Sequence, residues 1–397
     1  MSGPKRPRIL HVGKYYPPHR GGMETHLRQL ATALNEDVES KVIVANHNRS
    51  TGVEWRDGVE VTRLGRWFNL AGAPICPQMP RKIAVARADL VHLHVPNPAA
   101  VISLMASRYS GRIVVTWHSD IVRQKRLAKV FEPVMRTFIR RCSRVIVSSP
   151  NYVQSSDFLL DNQEKCRIIP FGIDVARFQK RGIGAVASIR EKFGPRIVLA
   201  VGRLVYYKGI KFLLRAMPKV NGNLVIVGDG PLRSELEDEA RSLGIAERVA
   251  FLSGIEDLVP YYQACDVFVL PSIARSEAFG IVQLEAMAAG KPVVNTLLSS
   301  GVPFVSVNGQ TGFSVSPRDP EALGAALNRL FDEPDLRSRF GAAGRDRVIR
   351  EFTLERMTSQ TLSLYRELLH GSAWGGRPEP AWNRRDVASQ IGAGANL

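Results

Sequence analysis

Cysteine is scarce in this 397-residue chain, and its four cysteines stand far apart. They form no CxxC pair, so the sequence lacks the ligand spacing of a structural zinc site. Scattered thiols also provide no disulfide framework of the kind that small secreted domains use. The pattern predicts a protein of a reducing compartment, the cytoplasm. The four residues are Cys76, Cys142, Cys166 and Cys265.

Long apolar runs are missing as well. No stretch approaches the roughly 20 apolar residues that a membrane-spanning helix needs. The apolar run at residues 8–13 is too short for the core of a signal peptide and is typical of a first β-strand. We therefore expect neither a signal peptide nor a transmembrane helix.

The common nucleotide-binding motifs are also absent. Neither the GxGxxG pattern of dinucleotide-binding domains nor a Walker A loop occurs. The stretch Val225–Pro231 offers only two glycines and then a proline, so we interpret it as a tight strand-to-helix turn. A Rossmann dehydrogenase is therefore disfavoured.

Acidic residues are too few to balance the basic ones. The chain has 54 Lys and Arg against 37 Asp and Glu, a formal net charge of +17. Such an excess indicates an anionic partner: a nucleic acid, an anionic membrane surface or a phosphorylated substrate. No nucleic-acid recognition module accompanies the charge, so we expect no nucleic-acid partner.

What the chain does contain is a regular alternation of short apolar runs and helical stretches, in two series. Alternating strands and helices predict parallel α/β sheets, and 397 residues predict two domains. We expect two Rossmann-like, doubly wound domains facing each other across a cleft, over residues 1–180 and 190–352. A linker is expected at 179–187, a helix that crosses back to the first domain at 353–370, and a disordered tail at 371–397.

Two acids flank a predicted helix start in the second series. A buried strand, Val267–Leu270, precedes a loop of small residues and a helix that begins near Gly280 and ends at Gly290. Glu277 lies in the loop and Glu285 about one and a half turns into the helix, so both carboxylates can border one site. The alternative is an acid that only favours the helix dipole and a solvated second acid.

Two further loops suit phosphate binding. Arg203 and Lys208 follow a strand end, where two cations can neutralise a diphosphate. Gly21 and Gly22 open the first helix, and their backbone can approach a ligand closely. The alternatives are surface cations and an ordinary glycine-rich helix start.

Three histidines call for separate interpretations. His118 stands at a strand's carboxyl end, where ligands bind in such folds. His92 and His94 alternate on one strand and face the same side of the sheet. No third ligand stands near them in the sequence, so we predict packed histidines and no metal site.

The region 121–144 predicts a basic amphipathic helix. Its apolar residues share one face, and Pro133 either splits the helix or starts its second half. The basic face can dock on an anionic membrane, or it is the solvated face of a core-packed helix. Its cations include Arg123, Lys125, Arg126, Lys129, Arg136 and Arg140.

Together these motifs resemble the retaining glycosyltransferases of family 4, also called glycosyl transferases group 1, which have the GT-B fold. The resemblance extends over nearly the whole chain, to about residue 370. It rests on four stretches: 17–24, 202–204 with 208–209, 227–231, and the E-x7-E motif from Glu277 to Glu285.

The resemblance implies roles for these residues. Arg203 and Lys208 hold the diphosphate of a nucleotide sugar and stabilise its departure, and Glu277 lies against the donor sugar. Glu285 hydrogen-bonds the ribose, and His118 matches a position that reaches the donor sugar or the acceptor. The remaining donor-binding groups are the amides of Ala278, Phe279, Gly280 and Ile281 and the loop residues Gly21 and Gly22.

The implied activity is metal-independent transfer of a hexose, with its anomeric configuration kept, to a glycan or lipid-linked acceptor of a cell-surface polysaccharide or glycolipid. The base of the donor stays open between UDP and GDP, and mannose is our choice of sugar. We expect a cytoplasmic protein, peripheral on the inner face of the plasma membrane. The alternatives are a nucleotide-sugar epimerase of the same architecture and a non-catalytic nucleotide-binding protein.

Overall fold

The computed structural model describes residues 6–19, 21–70, 72–120, 125–180 and 182–369. The chain forms two compact units. The first comprises the chain up to Phe171 together with the segment from Leu354 onward, and the second is Gly172–Thr353.

The first unit alternates strands and helices. In chain order its elements are β1 (Arg8–Val12), α1 (Gly22–Leu34), β2 (Glu39–Ala45), β3 (Gly52–Arg56), β4 (Val59–Leu64), β5 (Phe68–Leu70), β6 (Ala73–Ile75), α2 (Met79–Val85), β7 (Leu90–Val95), α3 (Pro98–Ala106), β8 (Arg112–Trp117), α4 (Lys125–Arg141), β9 (Arg144–Val147), α5 (Pro150–Ser155), α6 (Asp157–Leu160) and β10 (Cys166–Ile168).

The second unit repeats the alternation. Its elements are α7 (Ala176–Gln179), α8 (Ile183–Phe193), β11 (Ile197–Val201), α9 (Ile210–Ala216), β12 (Asn223–Val227), α10 (Arg233–Ser242), β13 (Val249–Leu252), α11 (Val259–Ala264), β14 (Val267–Leu270), α12 (Ile281–Ala288), β15 (Val293–Thr296), α13 (Val302–Val305), β16 (Gly312–Val315), α14 (Pro320–Asp332) and α15 (Pro334–Glu351). The last helix, α16 (Leu354–Leu369), belongs to the first unit.

The first unit is built on an eight-stranded sheet of order β10-β9-β8-β7-β1-β2-β4-β3. All neighbours are parallel except β3 and β4. Parallel strands are covered on both faces, which explains why every residue of β7 is buried. Met357 and Tyr365 of α16 pack in the core with Ile9 and Leu30.

The second unit has a six-stranded, fully parallel sheet of order β13-β12-β11-β14-β15-β16. This is the doubly wound 3-2-1-4-5-6 order. The direction of winding reverses between β11 and β14, and ligands of such sheets bind beyond the carboxyl ends of the strands at that point. The predicted α/β class is confirmed, and the topology singles out the loops after β11 and β14.

The division between the units lies after Phe171, earlier than the linker that we predicted at 179–187. Polar residues made that stretch resemble a linker, but α7 and α8 pack against α11. The amide nitrogen of Gln263 donates to the carbonyls of Phe178 and Lys180, at 3.1 and 2.8 Å. The predicted tail at 371–397 lies outside the described residues.

Sequence reasoning missed the antiparallel edge of the first sheet. Strands β3 and β4 are joined by Asp57-Gly58, and both residues have positive φ, 51° and 78°. An Asp-Gly pair between two runs is a strong hairpin signal, because such turns need the left-handed conformation twice. Strands β5 and β6 form a second, separate hairpin.

Candidate active site

The loops after β11 and β14 meet because the two strands are neighbours. Val198 pairs with Val267 and Leu199 with Phe268, so the carboxyl ends of β11 and β14 lie side by side. The amide of Ile273 donates to the carbonyl of Tyr207 at 2.8 Å, which joins one loop to the other. The topology thereby brings together residues that are about 70 positions apart in the sequence.

The centre of this site is an ion pair. The ammonium of Lys208 lies 2.5 Å from Oε2 of Glu277, and the two side chains are only 13% and 10% exposed. The hydroxyl of Ser272 donates to the same carboxylate oxygen at 3.1 Å. Thr296 in turn donates to the carbonyl of Ser272 at 2.5 Å. Three elements therefore fix the position of the Glu277 carboxylate, and no sequence pattern indicated a role for Ser272 or Thr296.

Burial and pairing act in opposite directions on Lys208. Burial disfavours the charged ammonium, but attraction to the Glu277 carboxylate raises the pKa of Lys208 above its usual value. The ammonium lies beside Gly202, where an added Cβ would stand 3.2 Å from Nζ. Arg203 is exposed in the same loop. The loop therefore presents one largely covered and one exposed cation beyond the end of β11.

Gly209, directly after Lys208, adopts the left-handed conformation with φ 67°. A Cβ at this position would lie 2.0 Å from the carbonyl oxygen of Pro271. Only a glycine therefore allows the Lys208 turn to approach the loop after β14 this closely.

We expect Gly209→Ala to lower the thermal unfolding midpoint considerably more than Gly244→Ala. Both glycines have positive φ, but nothing lies within 4 Å of a Cβ at Gly244. The control variant therefore bears only the backbone strain, about 1 kcal/mol, whereas Gly209→Ala adds a steric clash of roughly 2 kcal/mol. The difference corresponds to roughly 4–8 °C in a unit of this size, measured by circular dichroism. Equal midpoints would show that the two loops can separate without cost.

The helix predicted after the loop is confirmed as α12. Gly280 precedes it with φ 74°, a conformation that favours glycine. The carbonyl of Ala278 accepts from the amide of Gly301 at 2.7 Å, and the side chain of Gln283 donates to the carbonyl of Phe279 at 3.1 Å. The first amides of a helix lack intrahelical partners, and α12 begins at Ile281, four residues after Glu277.

The second acid of the motif has a structural partner that the sequence did not reveal. Tyr262 on α11 donates its hydroxyl to Oε2 of Glu285 at 2.5 Å. Burial raises the pKa of Glu285, and the hydrogen bond from Tyr262 opposes that shift. Burial and the adjacent carboxylate hold the pKa of Tyr262 well above its usual value. Tyr262 therefore stays protonated and holds Glu285 in one orientation.

In the first unit, Gly21 and Gly22 stand at the start of α1 as predicted. A Cβ at Gly21 would lie 2.2 Å from a carboxylate oxygen of Glu24, so the glycine makes room for that side chain. Glu24 is buried, and burial raises its pKa. Sequence reasoning assigned nothing to Glu24, although a carboxylate this close affects which anions the loop can accept.

His118 follows β8, where its amide donates to the carbonyl of Val95 at 2.9 Å. The predicted position at a strand's carboxyl end is confirmed. Its Nε2 lies 3.1 Å from Nδ1 of His94, and burial holds the pKa of both rings well below the usual value. His118 is 9% exposed, whereas His94 is fully buried.

Helix α4 contains the predicted basic region. Met135 and Phe138 are buried in the protein, so this part of the apolar face packs internally. Arg136 pairs with Glu132 and Asp161 at 2.8 and 2.9 Å, and Arg140 is exposed. Pro133 lies inside a continuous helix. Arg123 and the side chains of Lys125, Arg126 and Lys129 lie outside the described residues.

Within residues 6–369, apart from the positions left out above, no helix combines the length and the apolar composition needed to cross a bilayer. The longest helix, α15, has 18 residues and is rich in charge.

Two family descriptions match this chain. Glycosyltransferase Family 4 matches residues 20–177, and Glycosyl transferases group 1 matches residues 186–347. Among solved structures, a sucrose-phosphate synthase from Thermosynechococcus elongatus superposes with a TM-score of 0.76 at 22% identity. It covers 92% of this chain and 100% of its own, which shows a shared fold of the GT-B type.

The chain is similar over most of its length to three curated proteins. O-antigen chain mannosyltransferase C of Escherichia coli is 33% identical, over 92% of this chain and 100% of its own. D-rhamnosyltransferase WbpZ of Pseudomonas aeruginosa is 34% identical, over 87% and 92%. A GDP-mannose-dependent phosphatidylinositol monomannoside mannosyltransferase of Mycolicibacterium smegmatis is 31% identical, over 85% and 92%. The chain therefore belongs to the family 4 glycosyltransferases, the glycosyl transferases group 1, and is a hexosyltransferase.

Proposed function

We propose that this enzyme transfers a mannose-type hexose from a GDP-sugar to a lipid-linked glycan, keeping the anomeric configuration and using no metal ion in the transfer. The observation that carries the proposal is the similarity to transferases whose names specify mannose and D-rhamnose. D-Rhamnose is 6-deoxy-D-mannose, so both names describe the same configuration at the ring carbons beside the reacting centre. A third relative is named for GDP-mannose.

The site after β11 and β14 offers suitable chemistry for this reaction. When the bond from the sugar to the diphosphate breaks, negative charge grows on the phosphate and positive charge on the sugar. Lys208 and Arg203 stabilise the departing phosphate, and the Glu277 carboxylate stabilises the oxocarbenium-like sugar. The Lys208–Glu277 pair already holds the two charges in a fixed arrangement, so little reorganisation is needed during the reaction.

A donor screen tests this proposal. Purified protein is mixed with GDP-mannose, GDP-D-rhamnose, UDP-glucose or UDP-N-acetylglucosamine, and thermal shifts and slow donor hydrolysis are measured. We expect the two GDP-sugars to raise the unfolding midpoint and to be hydrolysed, with and without EDTA. A response to UDP-sugars alone would overturn the assigned base, and loss of hydrolysis in EDTA would overturn metal independence. No response to any donor would contradict the whole proposal.

Glu285 is expected to act in donor binding rather than in turnover. Its carboxylate can accept a hydrogen bond from a ribose hydroxyl, and such charge-assisted bonds contribute about 1.5–3 kcal/mol. Glu285→Gln should therefore raise the donor dissociation constant roughly tenfold, with little change in kcat. Titration calorimetry and steady-state kinetics measure the two effects.

Tyr262→Phe is the control for that variant. It removes the hydroxyl that holds Glu285 but keeps the carboxylate. We therefore expect a lower unfolding midpoint, and a smaller loss of donor affinity than in Glu285→Gln. If both variants weaken binding equally, the affinity depends on the position of α12 and not on a contact with Glu285.

We also propose that the basic face of α4 docks the enzyme on an anionic membrane, where a lipid-linked acceptor resides. Met135 and Phe138 are buried in the protein, so the proposal rests on electrostatic attraction between the basic residues and the anionic lipids. Arg136 already has two acidic partners, so we assign the attraction to the other cations of this face.

Arg126→Ala combined with Arg140→Ala should weaken binding to phosphatidylserine-containing vesicles. Each cation near such a surface contributes about 1 kcal/mol, so loss of both should weaken vesicle binding roughly 30-fold at physiological salt. The matched control is Arg345→Ala with Arg350→Ala, which removes two exposed arginines of α15. Vesicle co-sedimentation measures both, and an equal loss in the two double variants would mean that only net charge matters.

A further inference from the structure

The connection from β4 to β7 carries an exposed apolar cluster. It contains the hairpin of β5 and β6, in which Phe68 pairs with Ile75 and Leu70 with Ala73. Trp67, Phe68 and Leu70 are 62%, 54% and 62% exposed. Large apolar side chains this close together form a patch rather than scattered surface residues, and such patches mark interaction sites. We call these three residues the hairpin patch.

The register of the hairpin shows which way its apolar face points. Phe68 and Leu70 are two positions apart, so they share one face of the two-stranded ribbon. Pro74, which pairs with Asn69, belongs to the other face and is buried. Strand β6 also contacts α3. One face of the hairpin therefore packs on the protein, and the face with Phe68 and Leu70 is turned to solvent.

The topology of the chain places this hairpin on the same side of the sheet as α4. The connections β4–β7, β7–β8 and β8–β9 join parallel strands, and all run in the same direction along the sheet. Because such crossovers are right-handed, their helices α2, α3 and α4 cover one face of the sheet. The connection β1–β2 runs the other way, so α1 covers the opposite face, where it contacts α16.

The two faces of the sheet differ in the apolar side chains that they expose. On the face with the hairpin, α2, α3 and α4 each expose a large apolar side chain: Val85, Ile102 and Val130. Within the part of the chain that the structure describes, α1 and α16 expose none. Exposed apolar side chains of the first unit's long helices are therefore concentrated on the face that carries the hairpin patch and the basic helix.

The charge of the same connection indicates the kind of partner. Residues 61–88 contain no Asp or Glu but five basic residues: Arg63, Arg66, Arg81, Lys82 and Arg87. Arg81 on α2 and Arg87 just after it are exposed. Apolar and aromatic side chains beside cations are typical of segments that bind an anionic lipid surface, where tryptophan prefers the interface. A second copy of this segment would place like charges against each other, which disfavours self-association.

We propose that the hairpin patch inserts into the interface of an anionic phospholipid bilayer. The inference rests on the membrane docking proposed for α4 and extends it: α4 supplies electrostatic attraction, and the hairpin supplies apolar contact. Interfacial segments of this kind reach the boundary between head groups and acyl chains, about 5–10 Å deep, without crossing the bilayer. Two contacts on one face of the sheet would fix the orientation of the first unit on the membrane.

Fluorescence quenching by brominated lipids tests insertion directly. Full-length protein is mixed with vesicles of phosphatidylserine and acyl-chain-brominated phosphatidylcholine, and tryptophan emission is recorded. We expect quenching in the wild type, most of which is lost in Trp67→Phe and kept in Trp55→Phe. Trp55 is the matched control, because it is 73% exposed on β3, outside this connection. The proposal is overturned if Trp67→Phe is quenched as strongly as the wild type.

Phe68→Ser combined with Leu70→Ser measures the apolar contribution to membrane binding. Loss of two half-exposed apolar side chains should weaken vesicle co-sedimentation roughly 30-fold. The matched control, Ile183→Ser with Ile349→Ser, removes exposed apolar residues of α8 and α15 in the second unit and should bind as the wild type does. Donor hydrolysis should stay unchanged in both double variants, since neither touches the loops after β11 and β14.

The outcomes separate this inference from the docking proposed for α4. If the wild type binds anionic vesicles and the hairpin double variant binds equally well, insertion is wrong and electrostatic docking stands. If the wild type does not bind these vesicles, both membrane proposals fail, while the donor screen still decides the transferase reaction. A dimer in light scattering that the hairpin double variant dissociates would show that the patch binds a second copy instead of lipid.

Discussion

Glu277→Gln should lower kcat for sugar transfer by roughly 10²–10³-fold while changing donor affinity little. The carboxylate is fixed by Lys208 and Ser272, and its negative charge matters most when positive charge develops on the sugar. Glutamine has the same shape but no charge, so the variant removes an interaction that is strongest in the transition state. GDP release under saturating donor measures the effect.

Glu235→Gln is the matched control for this change. Glu235 also faces a lysine, Lys211, but at 3.5 Å on an exposed surface of the same unit. Such exposed pairs contribute little, so this variant should leave kcat unchanged. If Glu277→Gln instead raises KM with unchanged kcat, the carboxylate binds the donor and does not stabilise the transition state.

Lys208→Met should lower activity even more than Glu277→Gln does, and it should also lower the stability of the protein. Loss of the ammonium removes stabilisation of the leaving diphosphate, so kcat/KM should fall about 10³-fold. It also leaves the Glu277 carboxylate largely buried without its partner, a loss of about 3–5 kcal/mol in stability. Steady-state kinetics measure the loss of activity. Urea unfolding of the full-length protein measures the loss of stability.

The double variant Lys208→Met with Glu277→Gln separates these effects. It leaves no unpaired charge, so much of the stability should return while activity stays low. A double variant as unstable as Lys208→Met would show that the lysine stabilises the loop by packing and not by charge. Recovered activity would contradict the proposed role of Lys208 in stabilising the diphosphate.

The general architecture of this protein was predictable from local patterns. Buried parallel strands form continuous apolar runs, and the helices between them begin and end at recognisable residues, as at Gly280 and Gly290. The E-x7-E spacing placed Glu277 in a loop and Glu285 on a helix, as found. The compact units divide after Phe171, before the predicted linker, since polar composition does not reveal that α8 packs on α11.

The sequence by itself determined the α/β class, the resemblance to family 4 and which segments hold the site's charged residues. These properties depend on residues close together in the chain. Only the tertiary structure decided which side chains touch. Strand order places β11 beside β14, and so pairs Lys208 with Glu277; the approach of α11 to α12 gives Glu285 its partner Tyr262. Likewise, only the fold brings His26 of α1 and His118 of the loop after β8 to the side of His94.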